Sequence, residues 1–214
     1  MNIKGAIFDM DGTLLDSMDY WATVAEEYLQ KHGINAEKET NRDFLEKGMK
    51  EWTLGINEKF AFDRSFEEVK QGINSLMSEK YNTVVKVKDG VREMLEELYQ
   101  RGVKMCLATA TDRALVESIL KRLGIEKYFS RIFTTGEVGV GKSEPLIYEL
   151  ALEYLGTPRD ETYIFEDAYY ALKTAHNNGF KAVGVYDKNV FVSEDEIKAL
   201  CDYYIDKDNK FKLF

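Results

Sequence analysis

Residues 136–145 read GEVGVGKSEP, and they decide between two kinds of α/β fold. Positions 136–143 match the P-loop pattern G-x-x-x-x-G-K-[S/T], in which backbone amides at a helix N-terminus bind phosphate. Pro145 argues against a P-loop, because the P-loop helix begins near the Gly-Lys pair and would enclose this proline at a cost of about 3 kcal/mol. A helix that begins at Pro145 has proline at a favoured first position. Lys142 would then remain in a loop, free to reach a phosphate.

Outward from this loop, short apolar runs alternate with helical patterns. The runs that read as buried strands lie at 103–109, 131–135, 162–167 and 181–186. Apolar residues recurring every three or four positions predict helices at 91–99, 116–123, 147–155 and 168–175. A capping-box pair, Ser193 and Glu196, opens a last helix. This alternation predicts a doubly wound α/β fold with a mostly parallel, Rossmann-like sheet, whose first strand is the run at 3–9.

The region after the first strand has a different character. Apolar spacing predicts a helix around residues 21–29, residues 41–54 and 66–82 also look helical, and no convincing strand appears. We therefore predict a small all-helical cap, residues 16–82, inserted into a catalytic core made of residues 1–15 and 83–214.

Charge and hydropathy exclude several kinds of partner. The 214-residue chain has 29 basic and 38 acidic side chains, for a net charge of −9. Such a chain lacks the positive surface that binds nucleic acid or an anionic membrane, so neither partner is expected. No apolar run is long enough for a bilayer span or a signal peptide, so we expect a cytoplasmic protein. We also expect a monomer.

Polar side chains follow the predicted strands at their carboxyl ends, where open parallel sheets place their sites. These side chains are Asp9, Asp11, Thr109, Lys142, Glu166 and Asp167. Clustered carboxylates repel one another unless a cation lies among them, and Mg²⁺ prefers oxygen ligands together with substrate phosphate. One carboxylate can attack phosphorus while a second transfers protons, and a lysine can stabilise the phosphoryl charge. The pattern therefore predicts a magnesium-dependent phosphoryl-transfer site.

Four segments carry a resemblance to a known family. They are DMDGT at 9–13, LATAT at 107–111, GKSEPLIY at 141–148 and FEDA at 165–168. In this order they resemble the four motifs of the haloacid dehalogenase superfamily, and the resemblance covers essentially the whole chain. The chain is most similar to the β-phosphoglucomutase-like phosphatases, which have a helical cap inserted after the first strand.

The resemblance implies a role for each catalytic residue. Asp9 would be the nucleophile and Asp11 the general acid and base. Thr109 and the backbone that follows it at Ala110 would bind the phosphoryl group, with Lys142 beside them. An acid at position 11 favours hydrolysis or transfer of phosphate esters over dehalogenation.

The same resemblance implies a metal site and a substrate class. Mg²⁺ would be bound by Asp9, the backbone carbonyl of Asp11, and Asp167, with Glu166 either a direct ligand or a close neighbour. The implied activity is a magnesium-dependent phosphatase that hydrolyses small phosphorylated metabolites, such as sugar phosphates, through an aspartyl-phosphate.

Other functions stay open from the sequence. In a phosphomutase the phosphoryl group returns to another hydroxyl of a sugar, which requires a cap group that holds a second phosphate. Gly48 fits the family's cap loop, but Glu51 lies near the place of the expected arginine, so only Lys47 or Lys50 could substitute. We predict Gly48 and Lys50 as substrate contacts. A binding protein on an inactive scaffold is a third possibility, against which the intact acids argue.

Overall fold

The computed structural model describes residues 2–36, 44, 49–208 and 211. The chain divides into two compact units: Met1–Asp16 with Lys86–Phe214, and Ser17–Val85. The first unit is an α/β core and the second is helical. The helix that closes the second unit continues to Thr83, one residue beyond the predicted end of the cap. That the two units are separate domains stays a prediction.

The helical unit has three helices within its described residues. They are α1 (Met18–Lys31), α2 (Met49–Phe60) and α3 (Phe66–Thr83). No strand occurs in this part of the described chain. A capping box between Ser65 and Glu68 starts α3, because each residue satisfies a backbone amide of the other. Trp52 is buried and the Trp21 Nε1 atom donates to the Tyr81 hydroxyl at 3.1 Å, so both indoles belong to the unit's own core.

The predicted cap helices are largely recovered, with one difference in length. The pattern at 41–54 predicted a helix that ends at 54, whereas α2 continues to Phe60. Most of 41–48, including Gly48, lies outside the described residues.

The core unit contains a six-stranded sheet in the order β3-β2-β1-β4-β5-β6, and every neighbouring pair is parallel. Its strands are β1 (Gly5–Phe8), β2 (Lys104–Thr109), β3 (Ile132–Thr134), β4 (Thr162–Glu166), β5 (Lys181–Val185) and β6 (Tyr203–Ile205). The predicted α/β fold with a parallel sheet is therefore confirmed. β6 was not predicted, because an edge strand of three residues carries too little apolar sequence to stand out.

Six helices of the core connect and cover these strands. They are α4 (Val91–Gln100), α5 (Arg113–Leu123), α6 (Thr135–Val138), α7 (Leu146–Leu155), α8 (Tyr169–Asn177) and α9 (Glu194–Lys198), with 3₁₀ turns at Glu126–Tyr128 and Arg159–Glu161. The short α6 was not predicted. No helix in the described ranges is both long and apolar enough to cross a bilayer.

The core packs α7 against one face of the sheet. Ile7, Cys106 and Ile164 come from three adjacent central strands and are fully buried in one cluster with Ile147 and Ala151 of α7. Strands buried on both faces are expected to be mostly apolar, and the centres of these strands are. The packing leaves the carboxyl ends of the strands at one edge, where the loops carry the polar residues.

Gly184 of β5 allows close packing at the edge of the sheet. A Cβ atom at this position would lie 2.7 Å from the Cys201 Sγ atom and 3.0 Å from the Tyr204 ring. We expect Gly184→Ala to lower the free energy of unfolding by about 1–3 kcal/mol, measured by urea denaturation, because a well-packed core cannot absorb the added methyl group. Gly141→Ala is the control, since a Cβ atom there meets nothing within 4 Å. Equal effects of the two substitutions would contradict this account.

Candidate active site

A tight loop at the end of β1 positions two of the predicted acids. The Asp9 N–H donates to the carbonyl of Phe165 in β4, which continues the ladder beyond Phe8. The chain then turns: Leu14 N–H donates to the carbonyl of Met10 at 2.9 Å, and Gly12 has a φ of 84° that a residue with a Cβ atom rarely adopts. The glycine in the DMDGT segment is thus required by the backbone.

Lys142 bridges two residues of the acidic cluster. Its Nζ atom donates to Asp9 Oδ1 and to Glu166 Oε1, and only 3% of the residue is exposed. The Tyr148 hydroxyl donates to the same Glu166 oxygen at 3.2 Å, and the Ala168 N–H donates to Glu166 Oε2 at 3.3 Å. Both oxygens of Glu166 are therefore held within the protein.

Asp167 completes the cluster from the other side. Its Oδ1 atom accepts a 3.0 Å hydrogen bond from the Thr13 hydroxyl, which belongs to the loop after β1. Asp9, Glu166 and Asp167 are all buried, and one carboxylate oxygen of each lies within 4.8 Å of the others. The structure therefore brings together four of the six predicted polar residues: three clustered carboxylates, and Lys142 bonded to two of them, Asp9 and Glu166.

Burial dominates the protonation of these groups. It raises the pKa of Asp9 to about 7, and Glu166 adds to this rise, so that the two together outweigh the opposing attraction of Lys142. Burial, with the charges of Asp9 and Glu166, also raises the pKa of Asp167 well above its usual range. For Lys142, burial alone would lower the pKa, but the charges of Asp9 and Glu166 raise it well above the usual value. The ammonium group therefore stays charged beside Asp9, whose raised pKa means that its carboxyl ionises less readily than usual.

The other two predicted polar residues meet at the neighbouring end of β2. Thr109 is buried, and its Oγ1 atom accepts the Thr111 N–H at 3.1 Å. The Thr111 hydroxyl donates to Asp11 Oδ2 at 2.7 Å. The Asp11 carboxylate is thus held by a residue that follows β2, the strand adjacent to β1.

The remaining predicted residues are less informative. Ala110 follows β2 and is exposed, and Lys50 is exposed on α2 in the helical unit. Gly48 lies outside the described residues. α7 begins at Leu146, with Pro145 as its N-cap, one residue after the start at Pro145 used to argue against a P-loop. Lys142 is therefore a loop residue, as predicted, and does not belong to the first turn of a helix as it would in a P-loop.

The sequence reasoning missed three residues that hold the acids in place: Thr13, Thr111 and Tyr148. Thr13 and Thr111 lie within the segments DMDGT and LATAT, so the sequence shows that both belong to the motifs of the site. Tyr148 follows a residue of the predicted α7 face, and only the structure shows that its hydroxyl reaches Glu166.

Comparison with known proteins agrees with this geometry. The sequence profile of the haloacid dehalogenase-like hydrolases matches residues 6–185. The chain belongs to the haloacid dehalogenase-like hydrolases. The "phosphorylated carbohydrates phosphatase" of Thermotoga maritima is 27% identical over 181 residues, which are 85% of this chain and 84% of that protein.

Solved structures support the same assignment. A putative β-phosphoglucomutase from Thermotoga maritima superposes with a TM-score of 0.76 at 25% identity, covering 95% of this chain and 94% of that one. CbbY from Rhodobacter sphaeroides, solved with phosphate, gives a TM-score of 0.85 at 20% identity over 98% of this chain and 96% of that one, which shows the shared fold. This haloacid dehalogenase-like hydrolase is an enzyme of the phosphatase, β-phosphoglucomutase-like branch, as the resemblance predicted.

The donor set of this hydrolase fits a magnesium ion. Asp9, Glu166 and Asp167 offer only carboxylate oxygens, the ligands that Mg²⁺ prefers. With all three ionised, the positive charge of Lys142 leaves the cluster with two negative charges in excess. Lys88 also attracts Asp167, but it is itself paired with Asp187. Buried charges need a partner, and a divalent cation would balance this excess.

The raised pKa of Asp9 predicts a pH dependence for the metal-free hydrolase. Between its ordinary value of 3.8 and about 7, folded Asp9 keeps a proton that the unfolded chain has lost. The free energy of unfolding should therefore fall as the pH rises through this window, by up to about 1.4 kcal/mol per pH unit for a single proton. Urea denaturation in EDTA at several pH values from 4 to 8 measures the slope.

Asp9→Asn cannot ionise, so its slope should be shallower than that of the wild type, while Asp167 continues to contribute. Asp160→Asn, at an exposed position, is the matched control and should keep the wild-type slope. A wild-type slope in Asp9→Asn would show that Asp9 ionises normally in the folded protein.

Proposed function

We propose that this protein is a magnesium-dependent phosphatase that hydrolyses small phosphorylated metabolites through an aspartyl-phosphate on Asp9. The observation that carries the proposal is the position of Lys142, whose ammonium group bridges Asp9 and Glu166 inside a buried cluster with Asp167. Such a cluster costs stability unless it serves a ligand of complementary charge.

In the first step Asp9 attacks phosphorus, and the bond from phosphorus to the leaving oxygen breaks. Asp9 suits this role because its backbone is fixed to β4 and its carboxylate is held by Lys142. Asp11 gives its proton to the leaving oxygen, which departs as an alcohol. Lys142 and the Thr109 hydroxyl stabilise charge on the transferred phosphoryl oxygens.

In the second step Asp11, now ionised, takes a proton from a water molecule that attacks the phosphorus of the aspartyl-phosphate. The acyl-phosphate bond breaks, and Asp9 is regenerated as phosphate leaves. Mg²⁺, held by Asp9, the Asp11 carbonyl and Asp167, would neutralise charge on the phosphoryl group. Glu166 would position Lys142 and lie close to the ion.

The name of the Thermotoga maritima relative supports phosphorylated carbohydrates as a substrate class. The phosphomutase alternative needs a cation for a second phosphate. Arg113, near the end of β2, is occupied by Glu137 and donates to the carbonyl of Ile132. Arg113 therefore does not favour the mutase over the phosphatase. Monomeric state and a cytoplasmic location stay predictions.

The first test of this function is phosphate release from a panel of sugar phosphates, small acid phosphates and nucleotides including ATP. We expect release that requires Mg²⁺ and falls by at least about a thousandfold in Asp9→Asn, because the nucleophile is lost. Asp160→Asn is the exposed, charge-matched control and should retain wild-type rates. If the Asp9→Asn variant still releases phosphate from ATP, the proposal is wrong and the P-loop alternative must be considered again.

Magnesium binding has its own test that does not use activity. MgCl₂ should raise the Tm of the wild type, because a ligand that binds only the folded state stabilises it by about 2.7 kcal/mol at a concentration of 100 times Kd. Asp167→Asn should lose most of this rise, since the amide is a weaker ligand for Mg²⁺. Asp160→Asn should keep it. A full magnesium response in Asp167→Asn would remove Asp167 from the metal site.

Beryllium fluoride separates an active enzyme from an inactive scaffold. Together with Mg²⁺ it should stabilise the wild type further, by mimicking a phosphoryl group on Asp9. An inactive scaffold should show no such additional stabilisation.

A further inference from the structure

We propose that Thr111 is a positioning residue for Asp11: its hydroxyl holds the Asp11 carboxylate in the orientation that proton transfer to the leaving group requires. This inference rests on the proposed function, in which Asp11 is the general acid and base. It adds a residue that neither the sequence reasoning nor the comparisons assign.

The contact between the two side chains is short and sheltered. The Thr111 Oγ1 atom donates to Asp11 Oδ2 at 2.7 Å; Thr111 is only 6% exposed, and Asp11 is partly buried. A hydrogen bond to a carboxylate is stronger than one between neutral groups, and burial limits competition from water. The bond also joins the loop after β1 to the end of β2, two segments that are 100 residues apart in sequence.

A hydroxyl suits a partner that changes its protonation state. It can donate a hydrogen bond to ionised Asp11 and, after rotating, accept one from protonated Asp11. In the proposed mechanism Asp11 is protonated before the first step and ionised before the second. Thr111 can therefore hold Asp11 in place through both steps, which an ammonium donor, having no acceptor, could not do.

The backbone around Thr111 links this contact to the proposed phosphate-binding residue. The Thr111 N–H donates to Thr109 Oγ1 at 3.1 Å, so an acceptor position of the Thr109 hydroxyl is occupied within the protein. The Thr109 hydroxyl can then donate its own proton to another acceptor, and a bound phosphoryl oxygen would be such an acceptor. One short turn thus orients both the group proposed to bind phosphate and the proposed acid.

The test compares leaving groups, because only a poor leaving group needs a proton from Asp11. The parameter is kcat/KM, which reports the steps up to the first irreversible one. The substrates are an alkyl phosphate, whose alkoxide must be protonated, and p-nitrophenyl phosphate, whose phenolate leaves without a proton. The variants are Thr111→Val, which keeps the shape without the hydroxyl, and Thr111→Ser, which keeps the hydroxyl.

We expect Thr111→Val to lower kcat/KM for the alkyl phosphate about tenfold, the effect of losing one charge-assisted hydrogen bond. For p-nitrophenyl phosphate the loss should be below about twofold, and Thr111→Ser should recover most of the alkyl phosphate rate. Thr111→Ala gives the same comparison if the valine variant does not fold. An equal loss on both substrates, or no loss on either, would overturn the role of Thr111.

Two further variants separate this inference from the proposed function. Asp11→Asn should show the same preference for p-nitrophenyl phosphate, but more strongly, because it removes the acid itself. If Asp11→Asn shows the preference and Thr111→Val does not, only the inference about Thr111 fails. If Asp9→Asn retains activity, or Asp11→Asn shows no preference, the mechanism itself fails and the inference fails with it.

Discussion

Burying three carboxylates with one ammonium group is the constraint on which the site depends. Asp9, Glu166 and Asp167 are all at most 7% exposed, and Lys142 supplies a single positive charge among them. A cluster with this imbalance is stable only if protons, a cation or a substrate correct it. The raised pKa of Asp9 corrects the imbalance with a proton in the metal-free protein. In the proposed mechanism Mg²⁺ would correct it instead.

The sheet forces these charges together. β1 lies between β2 and β4, and the ladders align Phe8 with both Leu107 and Phe165. The residues that follow these three positions must emerge at one edge, since parallel strands all end there. Sequence-distant acids therefore converge without any loop having to reach across the molecule. The apolar packing beneath them fixes the edge as a rigid platform, and a rigid platform keeps proton-transfer distances constant.

Much of this arrangement could be predicted from the sequence, and the part that could not has clear physical causes. The strands of the core are apolar on both faces, so their runs stood out, whereas β6 is too short to do so. Asp9 and Glu166 were predicted because they lie at the carboxyl ends of predicted parallel strands, where open sheets place their sites. Tyr148 was missed because its ring packs in the core like any aromatic residue, and only the direction of its hydroxyl, which periodicity does not encode, gives it a role.

The sequence of the loop that contains Lys142 fits the pattern of two different folds. In a P-loop the phosphate is bound by backbone amides of the helix that begins at the Gly-Lys pair. Here α7 begins only at Leu146, after Pro145, and this places Lys142 before the helix. The lysine side chain is then long enough to cross to Asp9 in β1's loop and Glu166 in β4. A proline three residues after the lysine thus changes the contact from backbone to side chain. It places an ammonium group beside the Asp9 carboxylate, which is the arrangement that the proposed transfer of a phosphoryl group to Asp9 would use.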